Sequence, residues 1–532
     1  MDQTSYSDPD IIETINMKFI PVRVDIDERP DISERYNRGG FPTTAFLSDK
    51  GESVWGGTYI PPNDLKRVMS SILAANASGE IGQALERSRM QYLDISRSLQ
   101  QQPRLSSAII DTVFEDIFAS YDVQHGGFGV EPKFPQPDAI DLLLERYVET
   151  QDKELAEAIE HALTSMTDGL YDKVEGGMFR YSVTRDWKTP HYEKMLEGNA
   201  GLLRNLVRAH AVFMKDKYRE IASGIASYMV ATLQDHDSGG FFGSQDADEH
   251  YYKLSCPQRR KVKQPEVIKA IYAGWNSEAA SSLIEAGVLL REVNWVDAGK
   301  KAFRYNILNL WTEDLGLIRH VRGKDLYLFE DQVSFLQALI SMIELEGVRG
   351  LAEIGDKLIA SVERVFKDPE GGYTDVAKEE GAVGELETGR RSLVVNAKWA
   401  KALALYGAAV HRPELSEKAK EVVGAFTQRE VQAHGVFASS FVSAWWLLER
   451  GARSVEVHGV PDGDPLRSHL WLSAKDVLHS GAVVLPSDER ATSSTPSDHS
   501  FAVVCSKNGC SKPVTTASDL TSALEDTRSS QF

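Results

Sequence analysis

The chain has 532 residues, 42% of them hydrophobic, enough for about three domains with buried cores. Its 59 Lys and Arg against 78 Asp and Glu leave a net charge of −19, which argues against nucleic-acid and anionic-membrane partners. Three cysteines exclude a disulfide framework, and with no basic, apolar start and no apolar run near about 18 residues, the expectation is a soluble cytoplasmic chain.

Residues 1–75 mix an acidic helix, a β-branched run and Gly/Pro turns. Phe19-Ile20-Pro21-Val22-Arg23-Val24-Asp25 predicts a strand, with a polar helix-like stretch to Tyr36. A second strand follows Gly39-Gly40-Phe41-Pro42, with Asp49-Lys50-Gly51-Glu52 as the hairpin turn. A Pro-Thr opening a strand before such a turn looks like the second half of a thioredoxin fold. In that fold the matching proline, Pro42 here, is cis and faces the redox cysteines. No Cys-x-x-Cys occurs in this chain. Residues 76–104 are expected to form a linking helix.

Residues 105–451 are helical in pattern and carry a recurring Gly-Gly-aromatic signature. It reads Tyr121-Asp122 to Gly126-Gly127-Phe128, then Tyr171-Asp172 to Gly176-Gly177-Met178. It returns at His236-Asp237-Ser238-Gly239-Gly240-Phe241 and at Lys367-Asp368-Pro369-Glu370-Gly371-Gly372-Tyr373, with a weaker copy from Thr312 to Ile318. Punctuation at this spacing marks a helical repeat, because paired glycines accept the positive φ that ends a helix and turns the chain. Helices start near Leu105, Pro137, Lys153, Lys194, Tyr218, Asn276, Asn294, Phe329, Val348, Ser392, Pro413 and Val436. Short links such as Thr150-Gln151-Asp152 and Lys215-Asp216-Lys217 alternate with long Gly-rich ones. Short links join antiparallel neighbours, so the pattern predicts an (α/α)6 toroid of six hairpins whose long loops share one face. Residues 452–532 predict a small α/β region: strands at Ser454–His458, Gly481–Leu485 and Phe501–Cys505, a helix around Leu466–Val477, and a loop near Ala491–Ser500.

Binding residues concentrate on loops held by a rigid scaffold, so the long-loop rim is the expected site. The first loop offers Lys133 and Phe134. The second offers Arg180, Tyr181, Asp186 and Trp187. It then reads Thr189-Pro190, a cap pair that predicts His191 and Glu193 in the first turn of the next helix, with Asn199 further along. The third holds Asp246 and Asp248, which project the same way if the segment is extended. His191, Glu193, Asp186, Asp246 and Asp248 are the acid–base candidates, and Lys133, Phe134, Arg180, Tyr181, Trp187 and Asn199 the ligand-binding ones. Each has a scaffold alternative: His191 as a bonded wall residue, Glu193 as a helix-dipole partner, Asp246 and Asp248 as turn or capping acids. No spaced ligand set implies a metal, and no cofactor motif stands out.

Together these segments resemble the spermatogenesis-associated protein 20 type of thioredoxin-domain family. The resemblance is carried by Asp25–Asp31, Gly56–Pro62, Gly127–Pro135, Arg180-Tyr181-Ser182 with Trp187, Pro190–Leu196 with Asn199-Ala200, Ser244–Asp248, and Val504–Val514. It implies a thioredoxin-like domain joined to a six-hairpin toroid similar to N-acylglucosamine 2-epimerases and some glycosidases. It also implies a cysteine pair upstream of Met1, so that the thioredoxin-like piece is N-terminally truncated. Around Trp275-Asn276 the chain reads Ser277-Glu278-Ala279-Ala280, more polar than the family.

Two functional classes follow. One is a carbohydrate-active protein, a sugar epimerase or isomerase or a glycoside hydrolase, taking a small carbohydrate-like ligand at the rim. The other is a thioredoxin-like redox or chaperone-type binding protein. Cys505 and Cys510 bracket the Ser506-Lys507-Asn508-Gly509 turn, which can bring their Cα atoms within disulfide range of about 4.4–6.8 Å, but acidic, cysteine-poor intracellular chains rarely keep such a bond, so free thiols are expected. Oligomeric state is not legible in the sequence.

Overall fold

The computed structural model describes residues 1, 3–87, 105–378, 381–476, 481–487 and 500–529. It falls into two compact units, one within residues 1–103 together with 374–390, the other within 104–373 together with 391–532.

In the first unit, helix α1 (Pro9–Lys18) starts with Pro9 at its first position and is capped by the Asp8 carboxylate, which accepts from the Asp10 and Ile11 N–H groups. Helix α2 (Pro30–Tyr36) precedes an antiparallel hairpin of β1 (Thr44–Leu47) and β2 (Ser53–Gly57), and α3 (Pro62–Ser78) follows. Ile11, Ile60, Leu65 and Met69 form the core, with Phe19 and Phe46 against it. The hairpin turn lies where expected, and the Phe41–Pro42 peptide is cis. The strand expected over Phe19–Asp25 does not form. Its β-branched residues favour extension, but a strand also needs a ladder partner, and among the described residues it has none; Ile20 and Val22 are 91% and 78% exposed. Buried Arg35 bonds the Asp375 carboxylate and the Glu385 and Thr388 carbonyls, which ties segment 374–390 into this unit. Of the expected linking helix, residues 88–104 lie outside the described residues.

The second unit contains the twelve expected helices. They are α4 (Ser107–Ala119), α5 (Pro137–Thr150), α6 (Lys153–Leu170), α7 (Leu196–Phe213), α8 (Asp216–Tyr228) and α9 (Ala273–Leu290). After them come α10 (Val293–Asn309), α11 (Phe329–Glu346), α12 (Leu351–Val365), α13 (Leu393–Ala409), α14 (Glu414–Gly424) and α15 (Ser439–Arg450). Helices α5, α7, α9, α11, α13 and α15 each pack on the next, and α15 packs back on α5, closing the inner ring; the others form the outer layer. This is an (α/α)6 toroid. Inner helices such as α9 and α13 bury residues all round, whereas outer α12 buries one stripe.

The repeated signature has a mechanical cause. Asp172 N–H donates to the Gly177 carbonyl and Gly176 N–H donates back to Asp172, a turn repeated at Asp122, Asp235 and Asp368. A Cβ on Gly176 would lie 2.3 Å from the Gly224 carbonyl oxygen, at φ +77°. The residue after the glycines is clamped by an amide on the following inner helix. Asn276 accepts from Phe241 N–H at 2.7 Å and donates to the Phe241 and Tyr272 carbonyls. Asn199, Gln332 and Asn396 do the same for Met178, Ile318 and Tyr373.

The C-terminal region belongs to this same unit. Strand β3 (Arg453–His458) has β4 (Ala482–Ser487) parallel on one side and β5 (Phe501–Ser506) antiparallel on the other, with β6 (Gly509–Cys510) at the edge. Helices α16 (His469–Asp476) and α17 (Ala517–Ser529) accompany the sheet. The loop expected near 491–500 lies, up to residue 499, outside the described residues. Cys505 and Cys510 are not free thiols but a disulfide: the tight β5–β6 turn sets them directly opposite, Cα atoms 4.0 Å apart. Cys505→Ser should lower the unit's stability by about 2 kcal/mol, the loop-entropy value for so short a ring; equal denaturation midpoints for variant and oxidised parent would show that the bond contributes nothing.

Candidate functional site

The inner helices all enter the ring from the long-loop side, so their N-termini surround one mouth. Below it lies a cavity of about 310 Å3. Its wall is built by residues three, four or seven apart on each inner helix, which share a face: Asp138, Asp141 and Glu145 on α5, Arg204 and Arg208 on α7, Glu278, Ser281 and Glu285 on α9, Lys398 and Lys401 on α13. These groups pair across the lumen. Arg208 grips Glu285 through two bonds of 2.7 and 3.1 Å, Arg204 bonds Asp141 at 2.7 Å, Lys398 lies 3.0 Å from Asp138, and Lys401 bonds Glu145 at 2.6 Å. Burial alone would raise the Asp138 carboxyl, but the Lys398 and Arg204 charges outweigh it and hold the group below the ordinary carboxylate range.

Nearer the mouth the balance reverses. Glu197 in the first turn of α7, Glu278 on α9 and Glu330 in the first turn of α11 come from three consecutive inner helices. Glu197 has no hydrogen-bonding or ion-pair partner among the described residues. Its side chain is open to solvent yet walled by protein. That enclosure, with the Glu278 and Glu330 charges, pushes its carboxyl up to about 8; burial likewise raises Glu278. A carboxylic acid protonated at neutral pH is a proton donor.

The rim residues divide into two groups. Tyr181 pairs with His191 in a two-residue antiparallel ladder, and Phe134, Tyr181 and His191 stack face to face with centroids 4.6 and 4.8 Å apart. Arg180 bonds Glu193 at 2.7 Å, and His191 Nε2 lies 3.8 Å from the same carboxylate. The Arg180 charge also favours ionisation of Glu197, so this group adjoins the mouth. His191 and Glu193 are not in a helical first turn. The ladders Tyr181–Ser182 with Pro190–His191, and Lys194–Met195 with Ser244–Gln245, claim that segment, and the helix starts at Leu196. The second ladder does bring the second and third long loops together.

Other candidates are occupied by the scaffold. Lys133 is fully buried, bonded to Asp122 at 2.7 Å and lying 5.0 Å from the Trp187 ring centroid. Trp187 is 1% exposed and donates its indole N–H to the His125 and Gly126 carbonyls, so it is no sugar platform. It sits at φ +66°, an uncommon conformation for a bulky residue. Asn199 has both amide atoms committed to its clamp. Asp186 accepts from the Thr184 hydroxyl and the Lys188 N–H, bonds that lower its carboxyl and tie the loop. Asp246 accepts from the adjacent Ala247 N–H, and Asp248 caps a short helix through Tyr251 N–H at 2.8 Å; each has a local backbone partner. Buried Lys194, unassigned from sequence, is a brace like Lys133, bonded to Asp172 at 2.8 Å beside Arg259.

Sequence reasoning passed over the lumen residues. Their signal was present as charges at helical spacing on otherwise apolar inner helices: Glu197, Arg204 and Arg208, and again Glu278 and Glu285.

Residues 1–102 match the Thioredox_DsbH family, described as a protein of unknown function, DUF255. Mouse spermatogenesis-associated protein 20 is 30% identical over 313 residues, which are 54% of this chain and 38% of that protein; the human protein gives the same figures. Over those residues the chain is similar to spermatogenesis-associated protein 20. It aligns with well under half the length of those proteins. An uncharacterised Caenorhabditis elegans protein, B0495.5, is 27% identical over 53% of this chain and 40% of its own. Among solved structures, a sugar epimerase from a ruminal bacterium matches with TM-score 0.48 at 13% identity, covering 62% of this chain and 84% of its own. A D-mannose isomerase matches with TM-score 0.47 at 10% identity, covering 63% and 97%. No helix among the described residues is long and apolar enough to cross a membrane.

Proposed function

We propose that the toroid binds a small hydroxyl-rich ligand, a sugar, at its long-loop mouth and carries out acid–base chemistry on it, of the epimerase, isomerase or glycoside-hydrolase type. The observation that carries this reading is the polar cavity beneath the mouth, lined by carboxylates and cations from successive inner helices, beside which enclosure and the Glu278 and Glu330 charges raise the Glu197 carboxyl. A raised carboxyl beside further carboxylates divides acid and base roles between them. Glu197 is the acid, Glu278 its partner, and Lys398, Arg204 and Arg180 supply the local positive charge. The Phe134–Tyr181–His191 stack offers an apolar surface for a sugar face beside groups that bond hydroxyls. Asp246 remains a rim candidate for contact with the ligand. The test is a screen of free sugars and chromogenic glycosides for 2-epimerisation, aldose–ketose exchange and hydrolysis. Turnover that survives unchanged in Glu197→Gln would overturn the assignment. His191→Ala should weaken ligand affinity about tenfold, roughly one lost stacking or hydrogen-bonding contact, while the circular dichroism spectrum stays that of the parent.

A second reading, a redox or chaperone-type binding protein, is favoured by the family match over residues 1–102. It meets an obstacle in this chain. Cys256 is exposed and free, the other two cysteines pair with each other, and no Cys-x-x-Cys is present. The 532-residue protein should therefore not accelerate insulin reduction by dithiothreitol; robust reductase activity would reverse the order of the two readings.

A further inference from the structure

The far end of the ring is closed by its own C-terminal region. The bottom of the cavity is lined by Val455 from β3, Trp471 and Ala474 from α16, Val483 and Val484 from β4, and Leu524 from α17. This plug is fastened to the inner-helix ends. In the last turn of α11, Glu344 accepts from the Val484 N–H at 3.0 Å and from Lys475 Nζ at 2.8 Å. Arg291, just past α9, bonds Asp476 at 2.6 Å. Trp471 is fully buried and donates its indole N–H to the Val484 carbonyl. Along α7 Glu197 precedes Arg208 by about 16 Å at 1.5 Å rise per residue, and the cavity takes in the Arg204–Arg208 end of that stretch. At about 310 Å3 it is at the small end of ligand-binding cavities, with room for one or two sugar rings.

From this closed geometry we infer that the site takes free ends only: a monosaccharide, or the terminal unit of a short oligosaccharide, inserted from the long-loop mouth. An internal unit of a polymer carries chain on both sides. To reach the level of Arg204 and Lys401 it would need an exit through the plug, and the described residues of the plug line the cavity bottom across that path. This inference rests on the sugar reading above and adds the size and topology of the ligand.

The experiment uses the full chain and whichever sugar the screen identifies. Turnover and calorimetric binding are compared for the free monosaccharide, its linear disaccharide, and a cyclic oligomer of the same unit, which has no ends. The expected result is binding of the first two and a loss of at least 100-fold for the cyclic oligomer. Ser281→Trp, which fills the lumen at mid-depth, should weaken the disaccharide at least tenfold more than the monosaccharide. Cyclic and linear oligomers binding within threefold of each other would overturn the inference while leaving the sugar reading intact. Failure of every sugar, whatever its length, would overturn the sugar reading itself.

Discussion

Glu197→Gln is expected to lower turnover by about 10²–10⁴-fold, the range for loss of a positioned general acid, with little change in ligand affinity. The amide keeps the shape and the neutral charge that Glu197 has at pH 7 but has no acidic proton to give. The pH dependence supplies an independent reading. The folded-state pKa of Glu197 is raised to about 8 from the ordinary carboxylate value of 4.5, so the native state holds this proton more tightly than the unfolded one. The associated stability is fully present below about pH 4.5 and is lost as pH rises through 8. Activity should fall over the same alkaline window as the acid ionises. Thermal melts should show Glu197→Gln level with the parent at low pH and more stable than it above pH 8. A parent whose melting temperature and activity are flat between pH 6 and 9 would refute the assignment of Glu197 as the protonated acid.

Asn276→Leu is expected to destabilise the toroid by on the order of 4 kcal/mol. The substitution removes three hydrogen bonds at a fully buried site and leaves the Phe241 N–H and carbonyl short of partners, each orphan costing about 1–3 kcal/mol; the Tyr272 carbonyl keeps the backbone N–H of residue 276. Gln332 makes the same three bonds one repeat later with a longer side chain, so Asn276→Gln should recover part of the loss. Urea denaturation of the three proteins checks both statements. Equal midpoints for the parent and Asn276→Leu would mean that the clamp carries no stability.

The repeat, the number of helices and the alternation of short and long links could be read directly, because glycine pairs and hydrophobic periodicity act locally: they set where a helix stops and which face it buries. The C-terminal strand–helix–strand pattern was legible for the same reason. The strand expected at Phe19–Asp25 was not secure, since strand propensity describes a residue and a ladder needs a second strand. The disulfide escaped an argument from compartment and composition because the β5–β6 register decides which sulfurs meet.

The site divides along the same line. The loop residues His191, Glu193, Arg180, Tyr181 and Phe134 stood out as a chemically mixed cluster, and the structure gathers them at one rim. Lys133, Trp187 and Asn199 stood out equally, but burial gives them to the scaffold. Residue type states what a side chain can do; only packing states whether a ligand can reach it. The lumen carboxylates are the converse case. Glu197 and Glu278 are 81 residues apart along the chain and Glu278 and Glu330 are 52 apart, and nothing local relates them. Their proximity, and the raised Glu197 carboxyl that follows from it and from enclosure by the wall, come from ring closure. By itself the sequence determined the repeat, the ring and the face that bears the loops. The tertiary structure alone decided which charges share one enclosed space, because electrostatic coupling depends on distance and dielectric through the fold, not on separation along the chain.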